Sequence, residues 1–389
     1  MTVTFGLEVC LDAPGELLRH ARGFGLLSNQ ASVDRGFRHA AELLQQRFGK
    51  RLKTLFAPQH GLWSAQQDNM VETPHGTHER LELPVFSLYA DARRPSQQML
   101  DGLDVLVVDL QDVGTRVYTW IWTISHCLEA CAQRGIPLLV LDRPNPVGGE
   151  LAEGPLLHPD YRSFVGRASI PMRHGLTLAE LTRHVNDALG IGCDVHVVPM
   201  NGWRRSMLWP DTGRAWVPPS PNLPRWEATA VYPGQVLLEG TNLSEGRGTT
   251  TPFEVWGAPF VDPWQILPML APRDLQGCAL RPVEFEPTFQ KFAGQRCRGL
   301  FVHVTDAHAF RPYRTTLAFL RAVQELWPRE SAWNQPPYEY ETEKVPIDVL
   351  TGSGEVREWV SGSGSWAQLD RLAAPPDDWW HTVRRWLLY

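Results

Sequence analysis

No Cys-x-x-Cys pair, no block of lysine or arginine and no apolar run near the roughly 20 residues that span a bilayer occurs in this 389-residue chain. Each absence removes a class of function. The six cysteines, at 10, 127, 131, 193, 278 and 297, are scattered, several within apolar stretches. That is the pattern of reduced, buried thiols, not of a disulfide framework or a zinc ligand set. A formal net charge of −6 without a basic stripe argues against nucleic acid as a partner. The first residues, MTVTFGLEVCLDAPGELL, have no basic start, no apolar core of signal-peptide length and no small-residue cleavage pattern. The expected location is therefore the cytoplasm, away from the membrane.

What remains is an ordinary globular composition, 43% apolar and 21% charged, in a chain long enough for two domains. Residues 103–146 organise the rest. The short, uniformly apolar runs 105–108 and 138–141 suit parallel strands buried on both faces. Between them Ile124, Leu128 and Cys131 fall on one helical stripe, and Gly135 and Pro137 end that helix. Similar strands at 25–29, 52–57, 83–89 and 193–199, with helices at 37–48 and 178–189, predict an α/β fold with a doubly wound, mostly parallel sheet. Thr177 and Glu180 form a capping box at the second helix.

In such a sheet ligands bind beyond the carboxyl ends of the strands. The residues there are polar: Asn29, Gln59-His60, Ala90-Asp91, Asp109 to Asp112, and Asp142 to Asn145 with Arg143. Either a polar ligand or mutual hydrogen bonding must satisfy them. Residues 62–82 lack any period and read as a surface excursion or lid near this rim. His75, His78 and Glu79 lie within it without the spacing of a metal site, so no metal is expected.

Residues 201–264 are rich in Trp and Pro and include WVPPSPNLP and LLEGTNLSEGRGTT. The second string follows the apolar run 236–238, read as another strand. Gly246-Arg247-Gly248-Thr249 offers backbone N–H groups beside a guanidinium, though neither a P-loop nor a dinucleotide fingerprint is present, and no cofactor is expected. From residue 271 the texture changes. Strands at 279–286 and 300–305 and a helix at 315–326 predict a smaller α+β domain over 271–389, whose loop 287–294 covers a cleft against residues 1–270.

Taken together, LLSNQASVDR, LFAPQHG, DVLVVDLQDVGTRVYTW, VLDRPNPVGG, WVPPSPNLP, LLEGTNLSEGRGTTTPFEVWGAP and the terminal WLLY resemble a bacterial family of exo-acting β-N-acetylmuramidases, long known only as a domain of unknown function. The resemblance implies a Rossmann-like N-terminal domain without a nucleotide, a small appended C-terminal domain and an active site in the cleft between them. The implied activity is release of N-acetylmuramic acid from non-reducing ends of peptidoglycan fragments in wall recycling. Many members carry Pro-Glu-His-Gly where this chain has Pro58-Gln59-His60-Gly61. An amide cannot shuttle a proton. Hence another carboxylate carries the chemistry, or the subgroup acts on another acidic amino sugar, or the chain is a silent muropeptide binder.

For glycoside cleavage, which needs an acid and a carboxylate or the substrate's own acetamido group, the candidates are Glu239, Asp112, Asp109, His60 and Glu245. Glu239 leads as proton donor, because burial after an apolar strand favours the protonated form. Arg116, Arg143 and Arg247 are candidates for the lactyl carboxylate that distinguishes muramic acid. Asn29, Gln59, Gln111, Asn145, Asn222, Thr249, His174 and Asn242 are candidates for hydroxyl groups and the acetamide, and Tyr118 for stacking.

Overall fold

The computed structural model describes residues 2–68, 70–90 and 92–389, so Asp91 lies outside the described residues. Seven strands form the main sheet: β1 (Phe24–Ser28), β2 (Leu52–Ala57), β3 (Gly76–His78), β4 (Leu83–Ser87), β5 (Val105–Asp109), β6 (Leu138–Leu141) and β7 (Val195–Val198). Their spatial order is β3-β4-β2-β1-β5-β6-β7, with β3 antiparallel at the edge and every other pairing parallel. The fold is Rossmann-like. β1, β5 and β6 are buried along their whole length, as their unbroken apolar runs require. In register, Ser28 lies opposite Asp109, so the polar residues that follow each strand emerge along one rim.

The helices form where the sequence places them. The helix Trp120–Arg134 ends at Gly135, whose left-handed φ of 65° lets its N–H reach the carbonyls of Cys131 and Ala132. In front of the helix Leu178–Ala188, Thr177 Oγ1 accepts from the Glu180 N–H at 3.4 Å and Glu180 Oε2 accepts from the Thr177 N–H at 3.0 Å.

Two expectations need correction. The run 236–238 is not a strand: Val236–Gly240 is a 3-10 turn that prolongs the helix Trp226–Gln235. That helix packs on the helix Pro312–Leu326 so closely that a Cβ on Gly234 would sit 1.9 Å from the Pro312 carbonyl oxygen. Short apolar runs are ambiguous between strand and buried helix, and Pro233 hid the helical continuity. The second correction concerns β8 (Val255–Ala258), which joins β9 (Cys278–Phe285) and β10 (Cys297–Val304) in an antiparallel sheet of order β8-β10-β9. A boundary at residue 271 therefore cuts through the small sheet.

The last residue is anchored to the segments that follow β6 and β7. Tyr389 donates its hydroxyl to Asp142 Oδ2 at 2.9 Å and accepts from the Met200 N–H at 2.7 Å. Burial pushes the Asp142 carboxyl up to about 7, against the Ala179 N–H and the Tyr389 hydroxyl, which favour its charge. An acid raised in the folded state is protonated at low pH without penalty and costs stability as pH rises through about 7. Tyr389→Phe should therefore cost about 1–3 kcal/mol. The loss should be larger at pH 8 than at pH 6, and urea denaturation at the two pH values measures it.

Candidate active site

A cavity lies between the rim of the parallel sheet and the C-terminal segments. The β2 end contributes Gln59 and His60, the loop after β5 contributes Tyr118 and Thr119, and the Pro-rich segment contributes Ser220 and Asn222. From the C-terminal side come Tyr232, Glu239, Arg247, Tyr338 and Glu339. Its volume is about 40 Å³, room for little more than one water. Residues of the 62–82 excursion are tied to its wall: the Asn222 side-chain amide donates to the Gln67 carbonyl at 2.7 Å, and His60 Nδ1 lies 2.8 Å from the Gln66 carbonyl.

The charged groups are arranged in series. Arg247 Nη2 donates to Glu239 Oε1 at 2.6 Å, and the Tyr338 hydroxyl donates to Glu239 Oε2 at 2.7 Å. On its other side the Arg247 Nε is 3.3 Å from Glu245 Oε1, an ion pair without an aligned hydrogen bond. Lys291 Nζ closes the series at 2.9 Å from Glu245 Oε2. Burial alone would raise the Glu245 carboxyl, but Lys291 and then Arg247 hold it below its ordinary value. Glu239 thus receives two donated hydrogen bonds, the position of an acceptor, and it lies within the 3-10 turn Val236–Gly240, not after the expected strand.

Glu339 is placed differently. The Tyr89 hydroxyl lies 2.9 Å from Glu339 Oε2, and Gln59 Nε2 donates to Glu339 Oε1 at 3.4 Å and to the Tyr89 oxygen at 3.2 Å. The Thr119 hydroxyl donates to Gln59 Oε1 at 2.8 Å, which orients the amide so that its NH₂ faces Glu339. Burial, with the Glu239 charge nearby, pushes the Glu339 carboxyl up to about 7, the bonds from Tyr89 and Gln59 and the Arg247 charge opposing. Its backbone is held at φ 44°, and that of Tyr340 at φ 68°, both in the left-handed region that non-glycine residues rarely occupy. The Arg93 guanidinium sits 3.3 Å from the centre of the Tyr340 ring. His60 is the reverse case: burial, then the Arg247 charge, lowers it to about 4. Neutral at working pH, it gives its Nδ1 proton to Gln66 and keeps Nε2 as an acceptor.

Two family models divide the chain between them: exo-β-N-acetylmuramidase NamZ, N-terminal, over residues 24–227, and its C-terminal counterpart over residues 230–389. The chain belongs to the NamZ family. It is 39% identical over 363 residues, 93% of this chain and 85% of the relative, to the peptidoglycan β-N-acetylmuramidase NamZ of Bacillus subtilis. Two crystal structures of DUF1343 family proteins from Bacteroides fragilis share its fold. One has a TM-score of 0.88 at 29% identity and the other 0.75 at 26%, each covering 100% of this chain and 99% of its own.

Of the residues singled out from the sequence, this NamZ-family chain brings Gln59, His60, Tyr118, Asn222, Glu239 and Arg247 to the cavity. The Tyr118 hydroxyl sits beside Ser220, and burial raises it well above the ordinary phenol range. Asp112 stands behind this wall: Oδ2 accepts from the Gly114 N–H at 2.7 Å and lies 3.5 Å from His174 Nε2. His174 in turn accepts from the Leu176 N–H at 3.1 Å and shapes that turn.

The remaining candidates satisfy the protein itself. Asp109 and Arg143 form a bidentate pair at 2.6 and 2.9 Å, both at most 1% exposed. Arg143 and Gln111 face a separate cavity of about 240 Å³, also lined by Val217. Arg116 is fully buried, donating to the carbonyls of Pro155, Ile170 and Leu350, and burial lowers it to about 10. Asn29 holds the Pro219 carbonyl, Asn145 the Leu176 carbonyl, Asn242 the Glu330 carbonyl and Thr249 the Gly246 carbonyl. Glu245 balances Arg247 and Lys291. His75 Nδ1 accepts from Ser87 N–H and His78 Nδ1 from Leu81 N–H, and among the described residues no cluster of His, Cys, Asp and Glu is arranged to hold a metal.

Tyr338 and Glu339 were not singled out from the sequence. They belong to QPPYEYETEK, an irregular segment before the helix Pro346–Thr351. The only local hint is an acid between two tyrosines, within a stretch that makes no regular element of its own.

Proposed function

We propose that this chain is a glycosidase that removes N-acetylmuramic acid from the non-reducing ends of peptidoglycan fragments, using no metal. The observation that carries the reading is the convergence of two carboxylates, Glu239 and Glu339, on one cavity whose other wall holds Gln59 and His60. A purely binding site for an acidic sugar has no need of two buried acids, and paired carboxylates are the usual equipment for glycoside cleavage. Arg247 is the arginine of the three candidates that lines this cavity, and we assign it the lactyl carboxylate. A sugar ring needs far more than 40 Å³, since ligand pockets run to roughly 300–1,000 Å³. The cavity therefore has to widen to admit the sugar.

The same reading divides the chain near residue 228. Its support is the packing of the helix Trp226–Gln235 on the helix Pro312–Leu326 and the pairing of β8 with β10. No helix among the described residues is long and apolar enough to cross a membrane. We place the activity in the cytoplasm, where six unpaired cysteines are at home.

The test is hydrolysis of a chromogenic β-N-acetylmuraminide, with the matching β-N-acetylglucosaminide as control. We expect cleavage of the first and not the second. If pure, folded protein cleaves neither, the enzymatic reading fails, and calorimetric titration with muropeptides then examines the binding alternative.

A further inference from the structure

The glycosidase reading leaves open which group gives up the proton, and the geometry points to one. We propose that Glu339, and not Glu239, is the general acid of this site, with Gln59 and Tyr89 as its positioning residues. Three independent features carry this. Glu239 is occupied by the Arg247 guanidinium at one oxygen and the Tyr338 hydroxyl at the other, both of them donors, so neither oxygen is free to present a proton to a leaving group. Among the described residues no cation donates a hydrogen bond to the Glu339 carboxyl; its partners are a neutral amide and a phenol. A carboxylic acid needs such surroundings to keep its proton at neutral pH.

The second feature is Gln59. At the end of β2, where a carboxylate would have repelled Glu339, stands an amide whose oxygen is fixed by Thr119 and whose NH₂ is directed at Glu339 and Tyr89. A glutamine in this place cannot donate a proton to a leaving group, but it orients one that can. The third feature is the backbone: positive φ at both Glu339 and Tyr340 is conformational strain, and it turns the Glu339 side chain into the cavity.

The step balances without any further reagent. The carboxyl O–H bond of Glu339 breaks and its proton bonds to the glycosidic oxygen. The bond from the anomeric carbon to that oxygen breaks, its electron pair leaving with the departing sugar. Water then supplies its oxygen to the anomeric carbon, and its released proton restores the Glu339 carboxyl. Glu239, held by Arg247 and Tyr338, faces the positive charge that develops on the sugar.

The experiment compares two substrates of different leaving-group acidity: an aryl β-N-acetylmuraminide, which departs as an acidic phenol, and a muramyl disaccharide, which departs as a sugar hydroxyl. An acid catalyst matters for the second and little for the first. Glu339→Gln should lose about 10²–10⁴-fold on the disaccharide and far less on the aryl substrate. The alkaline fall of wild-type activity near pH 7 should be missing from the variant's residual activity. Should that variant fold poorly, Tyr89→Phe serves instead. It removes a bond that favours the charged carboxylate, so the alkaline limb should move to higher pH. Equal losses on both substrates, or an unmoved limb in Tyr89→Phe, would overturn the assignment while leaving the glycosidase reading intact. A wild type inactive on both substrates overturns that reading and the assignment together.

Discussion

Glu239→Gln should lower turnover by about 10²–10³-fold, the usual cost of removing one preorganised electrostatic contact to a developing charge, and by the same factor on aryl and disaccharide substrates. The uniform loss follows from its position. Glu239 touches Arg247 at 2.6 Å and Tyr338 at 2.7 Å, so its carboxyl group is fixed in place before substrate arrives. What it stabilises is the positive charge on the sugar, which forms whichever group departs. The substitution preserves shape but places an amide where two donors converge, and leaves Arg247 with Glu245 as its remaining carboxylate partner.

A second effect follows from the coupling between the two acids. The Glu239 charge is one of the causes that raise Glu339 towards 7. Without it the Glu339 carboxyl should ionise more readily, and the alkaline limb of the residual activity should move to lower pH. Single-turnover rates over pH on both substrates, with circular dichroism as a check on folding, measure all of this. A loss below tenfold would remove Glu239 from the mechanism.

The largest stability effect is expected at the β5 and β6 ends. Arg143→Met should destabilise the protein by about 3–5 kcal/mol, because it strands the Asp109 carboxylate in the interior. Asp109 is fully buried, and the same guanidinium also donates to the Val33 carbonyl at 3.1 Å. The pair itself is worth far less than this figure, since ordering and desolvating two charges offsets much of their attraction. The double variant Asp109→Asn with Arg143→Met should therefore recover a large part of the loss. Urea denaturation of the two variants and the wild type separates these outcomes. The double variant should also keep its activity on the aryl substrate, since neither residue lines the cavity that holds Glu239 and Glu339. Equal destabilisation of single and double variants would show that the pair acts through packing and not through charge.

The same pair shows how far residue type alone could lead. An arginine after β6 and an aspartate at the end of β5 are what a site for an acidic sugar calls for, and also what a self-satisfied salt bridge calls for. Their side chains meet across 34 residues of sequence, and only their distance decides between the two. Arg116 is similar: its position after β5 suggests a ligand, yet its Nη1 and Nη2 donate to three carbonyls from distant segments.

The architecture was legible because its causes are local. Uniform apolar runs of four residues make buried parallel strands, Gly135 ends a helix by its left-handed φ, and the Thr177 and Glu180 pair starts one. Periodicity and capping act over a few residues, so the order of residues is enough to show them. Where the local signal was weak, at Val236–Gly240 with Pro233 upstream, or at β8, which has a glycine among its four residues, the reading failed for the same reason.

The sequence by itself determined the parallel sheet, the polar rim along its carboxyl ends and the placing of Gln59 and His60 on that rim. Only the tertiary structure decided which acids share the cavity with them. Glu339 reaches Gln59 from 280 residues away, on a segment with no period to mark it. Whether a buried charge serves catalysis or cancels its neighbour depends on separations of a few ångströms between residues distant in the chain, which no local pattern encodes.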